Sequence, residues 1–183
     1  EAEMKILEAI EKAAKVLKDP TATDEDKAKA RKELQKEVNE YIAKVGSDGT
    51  LKALEEKWFG AKEPTEFTSY DDLNGTKGTI TVAISSASMP FVYLKNNKFV
   101  GFDIEFITGF AKEYGYDIQF KDVAFAAILG GVQSAKYDLG ISGITITEER
   151  RESMDFSDVY HIEDLAVIIR SEAGADDLDR LPD

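Results

Sequence analysis

The sequence predicts an α/β protein, a mostly parallel sheet flanked by helices and preceded by a helical hairpin. Three observations carry this reading. Strand-like apolar runs alternate with helical periodicity after residue 78; residues 1–45 lack glycine and are mostly Ala, Glu, Lys and Leu; and 183 residues suit one core. A chain of this size buries about 70% of the surface its unfolded form exposes, so it needs no covalent staples.

Ile6, Ile10, Ala13 and Leu17 recur at three- and four-residue spacing and line one face of a first helix, which Asp19-Pro20 ends. Thr23 opens a second helix, with Asp24, Glu25 and Asp26 suited to the positive end of its dipole. Leu34, Val38, Tyr41, Ile42 and Val45 form its apolar stripe. Gly46 to Gly49 is a turn, and Thr50 is expected to cap a short helix through Leu51, Leu54 and Trp58 that stops at Gly60. Trp58 and Phe59 read as a packing anchor. Residues 61–77 form a polar connection containing Pro64, Asn74 and Gly75, longer than most loops within a domain.

The composition then changes. Thr79 to Ser85 is a strand rich in branched residues, and Phe91 to Leu94 with Lys98 to Val100 read as a hairpin. Ile104, Ile107, Ala111 and Tyr114 place one face of a helix against a core, and Gly115 supplies a left-handed stop. Tyr116 to Val123 is a strand, Phe125 to Ser134 a helix weakened by Gly130 and Gly131, and Tyr137 to Ser142 a third strand. Thr147 caps a short helix over Glu148 to Ser153, and Asp164 to Arg170 is a last apolar strand. Strands alternating with helices predict a parallel sheet covered on both faces.

Composition excludes several classes. There are no cysteines, so disulfides, thiolate nucleophiles and Cys-type metal centres are ruled out, and one histidine cannot build a His-rich site. A net charge of −13 repels phosphate backbones and anionic headgroups, so nucleic acid is not an expected partner. No apolar run reaches the ~18 to 20 residues a bilayer span needs, and the Glu-Ala-Glu-Met start lacks a signal peptide's features, so no membrane insertion is expected.

In an open α/β sheet, ligands collect beyond the carboxyl ends of the strands, which points to three loops: Ser85 to Phe91, Val123 to Ala126, and Ser142 to Arg150. In the third, Gly143 lets the backbone approach a ligand, Thr145 offers a hydroxyl, and Arg150 could hold a carboxylate in a two-pronged contact near helical amides. Arg150 equally reads as one more solvated charge in the run Glu148 to Glu152. Phe125 is either an apolar wall or core, and Ser85 and Ser88 either bind a ligand or satisfy their own loop. No nucleophile and base pair can be assembled, since His161 reads as a packing or loop-satisfying residue. Asp71-Asp72 and Asp176-Asp177 read as solvated pairs. No cofactor or metal is called for.

The stretch GFDIEFITGFAKEYGYDIQF followed by FAAILGGVQSAKYDLGISGITITEERRESMDFSDVY closely resembles the family 3 extracellular solute-binding proteins, the amino-acid receptors of ABC importers with the type II periplasmic-binding-protein fold. The resemblance runs from about Gly78 to Arg170. Upstream, VNEYIAKVGSDGTLKALEEKWFG looks like the carboxyl-terminal end of a family member, so the segment order is inverted. The resemblance therefore implies a single lobe of a two-lobed clamshell. Residues 1–60 are the helical segment ending in that element, 61–77 a linker, 78–170 the lobe, and 171–183 a truncated hinge and tail, with 1–170 one folded unit. Two origins fit: a slice of a tandem binding protein, or a deliberately permuted and trimmed lobe, which the idealised helical hairpin over 1–40 suits.

By position, the resemblance assigns Arg150 to an amino acid's α-carboxylate, Thr145 and Gly143 to contacts with its backbone, and Phe125 to an aromatic wall. Ser85 and Ser88 stand where many members carry an acidic residue and an aromatic, so a preference for basic side chains is not implied. The aspartate that holds the α-ammonium in the family comes from the other lobe. One wall leaves the ion pair in water, which implies millimolar binding at best, about −4 kcal/mol. The expected partners are a free amino acid, weakly held, and in solution a monomer or a homodimer through the cleft face or swapped helices. Parent proteins are extracytoplasmic; an engineered lobe without an export signal would be expressed in the cytoplasm. A capture domain completed by a second lobe is the alternative. Some relatives of the fold are dehydratases, but no poised acid or base supports an enzyme here.

Overall fold

The computed structural model describes residues 13–60 and 62–163. Helix α1 (Ala13–Lys18) stops ahead of Asp19-Pro20, and α2 (Asp24–Ser47) starts at a full capping box, in which Thr23 and Asp26 each accept from the other's backbone amide. Ala30, Leu34, Glu37, Tyr41, Ile42 and Val45 form the buried stripe of α2. The expected start of α3 (Thr50–Trp58) differs by one residue. Gly49, at φ 86°, is the cap, and the Asp48 carboxylate accepts from the Thr50 amide, so Thr50 is helical and caps nothing. Trp58 is buried as the expected anchor, against Phe67 and Tyr93.

The α/β region begins with β1 (Thr79–Ile84). A short antiparallel sheet follows, made of β2 (Ala87–Ser88), β3 (Val92–Lys95) and β4 (Lys98–Val100). Strand β2 is not legible in the sequence, since two residues carry no period. Next come α4 (Phe102–Tyr114), β5 (Asp117–Asp122), α5 (Phe125–Gln133), β6 (Leu139–Gly140) and α6 (Glu148–Arg151). The main sheet has the order β5-β1-β6, all parallel, with Thr79 opposite Asp117 and Val82 opposite Leu139. β6 is shorter than the predicted Tyr137 to Ser142. The predicted strand over Asp164 to Arg170, the Ile6 and Ile10 turns of the first helix, and Asp176-Asp177 lie outside the described residues.

One core joins the opening helices to the sheet: Leu34, Tyr41 and Val45 of α2 pack with Ile80, Val82 and Ile84 of β1 and with Phe106 and Phe110 of α4. Tyr41 meets the edges of Phe106 and Phe110 at 5.3 and 5.9 Å, contacts that contribute about 0.5–1.5 kcal/mol each beyond their area.

The sequence assigned α4 one buried face; the structure buries it on nearly all sides, from Phe102 through Thr108 and again at Phe110 and Ala111. It lies between β3, β4 and β5 and the two helices α2 and α3. Its Asp103 and Glu105 carboxylates are therefore enclosed and need partners. Glu105 accepts from Lys57 Nζ at 2.7 and 2.9 Å, from Trp58 Nε1 at 3.1 Å and from the Thr68 amide at 2.8 Å. Residues 62–77 hold no regular element, yet Phe67, Tyr70 and Leu73 pack against the cores and the Phe99 amide donates to Tyr70 Oη.

Candidate functional site

Because the sheet is parallel, the ends of β1, β5 and β6 open on one edge, and the three predicted loops meet there. Ser85 is buried at the end of β1, where its amide donates to Ser142 Oγ and its carbonyl accepts from the same hydroxyl, both at 3.2 Å. Ser142 thus joins the first loop to the third. Ser86 adds a link to β5, its amide and hydroxyl donating to the Asp122 carboxylate at 2.9 and 2.7 Å. Ser88 belongs to β2 and pairs with Val92, so it sits in a strand and not in an open loop. Phe125, the first residue of α5, is 39% exposed, and Met89 in the first loop is 63% exposed.

The third loop turns at Gly143, whose φ of 59° favours glycine and where a Cβ would stand 3.1 Å from the Phe91 ring. Thr145 is exposed, and its carbonyl accepts from Arg150 Nη1 at 2.6 Å. Arg150 is half-buried, and the Thr147 hydroxyl accepts from its amide. One guanidinium N–H is thereby committed to the loop while others remain for a planar acceptor. α6 is one turn long with Glu148 and Glu149 at its start, so the cation at this site is the Arg150 side chain and not the helix end.

Sequence reasoning missed the group that organises this end. Asp103, on the first turn of α4, is fully buried; its Oδ2 accepts from the Gly143 amide and its Oδ1 from Tyr160 Oη, each at 2.8 Å. Burial pushes its carboxyl up to about 7, against the pull of those two bonds, with Glu163 adding to the rise. The available signal was a pair of acids, Asp103 and Glu105, inside the otherwise apolar run FDIEF. His161 has the packing role expected of it: it stacks on Phe59 at 4.4 Å and its Nδ1 lies 2.8 Å from Glu55 Oε1.

A cavity of about 700 Å³ runs between α2, α5 and β6 and reaches the third loop at Gly143 and Thr145. Its walls mix apolar residues, among them Leu34, Val38, Ile128 and Val132, with charged and polar ones such as Arg31, Gln35, Asp138 and Asp155; Arg150 is not among them. Among the described residues no group of acids and histidine is placed to hold a metal ion, and no helix is long and apolar enough to cross a membrane.

These loops and this sheet belong to a known class. Residues 80–177 match the sequence model of the bacterial extracellular solute-binding proteins, family 3, and the chain is a member of that family. It is 33% identical over 102 residues to the arginine-binding extracellular protein ArtP of Bacillus subtilis, a match covering 56% of this chain and 40% of ArtP. Among solved structures, an ancestral arginine-binding protein bound to arginine is 42% identical, over 46% of this chain and 38% of that one, with a TM-score of 0.45. An ancestral cyclohexadienyl dehydratase, AncCDT-3(P188L), is 31% identical over 46% of this chain and 36% of its own, with a TM-score of 0.44. The chain spans 34–40% of the length of the curated relatives it matches.

Proposed function

We propose that this chain is a single, non-catalytic lobe of an amino-acid-binding protein of the type II periplasmic-binding-protein fold, with its segments in permuted order, and that it binds a free amino acid weakly through half of a site. The observation that carries the reading is the Arg150–Thr145 contact at 2.6 Å, which stations a guanidinium over the loop that turns at Gly143. The lobe covers residues 78–170, and helices α1 to α3 complete its helical layer through the connection over 61–77. Arg150 takes the α-carboxylate, Thr145 and Gly143 the backbone, and Phe125 forms an aromatic wall, with Ser85 at the end of β1 and Ser88 in β2 beside them. The sequence of residues 1–40, without glycine and rich in Ala, Glu and Lys, has the regularity of an engineered element. Arginine, histidine and cystine are the ligands in the names of curated relatives, which supports a free amino acid as the ligand class.

A second reading is favoured by the exposure of Phe125, at the start of α5, and of Met89, between β2 and β3. These apolar surfaces suit a facing wall, so the lobe works as an extracytoplasmic capture domain when another lobe or a second copy closes over them.

The test is a titration of the ¹⁵N-labelled protein with arginine, glutamine, glutamate and cystine, followed through its amide resonances. The first reading expects shifts at Gly143, Thr145 and Arg150, with dissociation constants of about 1 mM or weaker, abolished in Arg150→Gln. Micromolar binding with ligand-dependent dimerisation by light scattering supports the second reading. Shifts that Arg150→Gln leaves intact would sink both.

A further inference from the structure

Three segments meet at the start of α4. The Phe102 and Asp103 amides donate to the carbonyls of Pro90 and Phe91, at 3.0 and 3.1 Å, which ties the first loop to the helix. This approach requires Gly101: at φ 139°, a Cβ there would stand 2.0 Å from the Phe91 carbonyl oxygen. From the same turn, the Asp103 side chain takes the Gly143 amide of the third loop and the Tyr160 hydroxyl of the chain that follows α6. Tyr160 in turn stacks on Phe102 and Phe106 at 5.9 and 4.8 Å. A single carboxylate therefore bonds two segments 40 and 57 residues away, and its own backbone amide bonds a third.

We propose that Asp103 is the positioning residue of the half-site: it sets where the Gly143 loop stands relative to the Phe91 loop, and it couples both to the segment carrying Tyr160. The role assigned to the loop rests on the reading that an amino acid binds there; the coupling itself does not. Two protonation states fit the geometry. The ionised carboxylate accepts from both donors. In the neutral acid, the oxygen facing Gly143 still accepts as a carbonyl, and the other carries the proton and donates to Tyr160 Oη, since a phenol oxygen can accept as well as donate. The Tyr160 bond reverses and the Gly143 bond loses its charge assistance. The titratable groups acting on Asp103 are Tyr160 and Glu163. Neighbouring His161 is turned to Glu55 and to the rings of Phe59, Phe91 and Phe102. Burial, with the Asp103 charge beside it, holds the Tyr160 phenol well above its ordinary range, so of this hydrogen-bonded pair the aspartate is the member that changes state near neutrality.

The test uses amide NMR and hydrogen exchange on the wild type, Asp103→Asn, Asp103→Leu and Tyr160→Phe, with no ligand present. In the wild type the Gly143 amide is expected to titrate once near neutral pH, with Ile144 and Thr145 following. Asp103→Asn, which can accept from Gly143 and donate to Tyr160, should remove the titration and keep Gly143 exchange within about twofold. Asp103→Leu should speed that exchange by about tenfold or more. Tyr160→Phe should move the midpoint upward, because it removes a bond that favours the charged form. A Gly143 resonance that is flat from pH 5 to pH 9 in the wild type overturns the proposal, as does unchanged exchange in Asp103→Leu. If Asp103→Leu does not fold, the titrations of the other three proteins decide. Failure of the amino-acid titration with these results intact removes the half-site and leaves the coupling standing.

Discussion

Lys77 Nζ lies 2.8 Å from Glu37 Oε1 in the interior, joining α2 to the approach to β1 across 40 residues of sequence. Tyr116 Oη donates to the other Glu37 oxygen at 2.6 Å, and the Lys77 ammonium sits over the Tyr114 and Tyr116 rings at 5.4 and 5.3 Å. The Glu37 charge, its ammonium partner and the phenol form a closed set that holds α2 in one register on the α/β region.

Removing one member of that set leaves a buried charge without its partner. Lys77→Met is expected to cost about 3 to 5 kcal/mol in urea unfolding, and the double variant Lys77→Met with Glu37→Gln to recover most of it, because the neutral amide can still accept from Tyr116. A single variant costing under about 1 kcal/mol, or a double variant no better than the single, contradicts the reading.

Asp103 makes stability depend on pH. Its carboxyl rises from 3.8 to about 7 on folding, so across that interval the native state holds a proton that the unfolded chain has released. The stabilisation is complete below about pH 4, declines as pH rises, and is gone above about pH 7. Between pH 5 and pH 8 the expected loss is on the order of 3 kcal/mol, which Asp103→Asn should flatten. The exposed carboxylates Asp19, Asp26 and Asp48 are shifted downward by bonds to Thr21, Thr23 and Thr50, and their effect falls below this interval. Urea midpoints of both proteins across the range check this; a wild type equally stable at both ends contradicts it.

The paired glycines of α5 should respond in opposite ways. A Cβ at Gly130 meets nothing within 4 Å, so Gly130→Ala should stabilise by about 0.5 to 1 kcal/mol through helix propensity. A Cβ at Gly131 would lie 2.3 Å from the Tyr137 ring, so Gly131→Ala should cost about 1 to 3 kcal/mol. In a chain of this length those changes correspond to roughly 2–4 °C in Tm per kcal/mol, measurable by calorimetry. Shifts of the same sign in both variants would show that helix propensity, and not the Tyr137 contact, governs this helix.

Features that act within one turn of the chain were legible. The cap at Thr23, the stop at Asp19-Pro20, the left-handed Gly115 at φ 78° and the Thr147 cap act between near neighbours, and the structure has each of them, adding a return bond from the Thr23 amide to Asp26. The third loop, with Gly143, Thr145 and Arg150 at the end of a parallel strand, was legible for the same reason, since chain order places it there.

The sequence by itself determined the alternation of strands and helices and therefore the parallel sheet, because hydrophobic period and capping chemistry are written in adjacent residues. Only the tertiary structure decided that α4 is enclosed on nearly all sides and that Glu37, Asp103 and Glu105 lie inside it or against it. A carboxylate in an apolar run can be solvated or buried. Which of the two occurs depends on donors 37 to 79 residues away, at Lys77, Tyr116, Gly143, Tyr160, Lys57, Trp58 and Thr68, that no local pattern brings together.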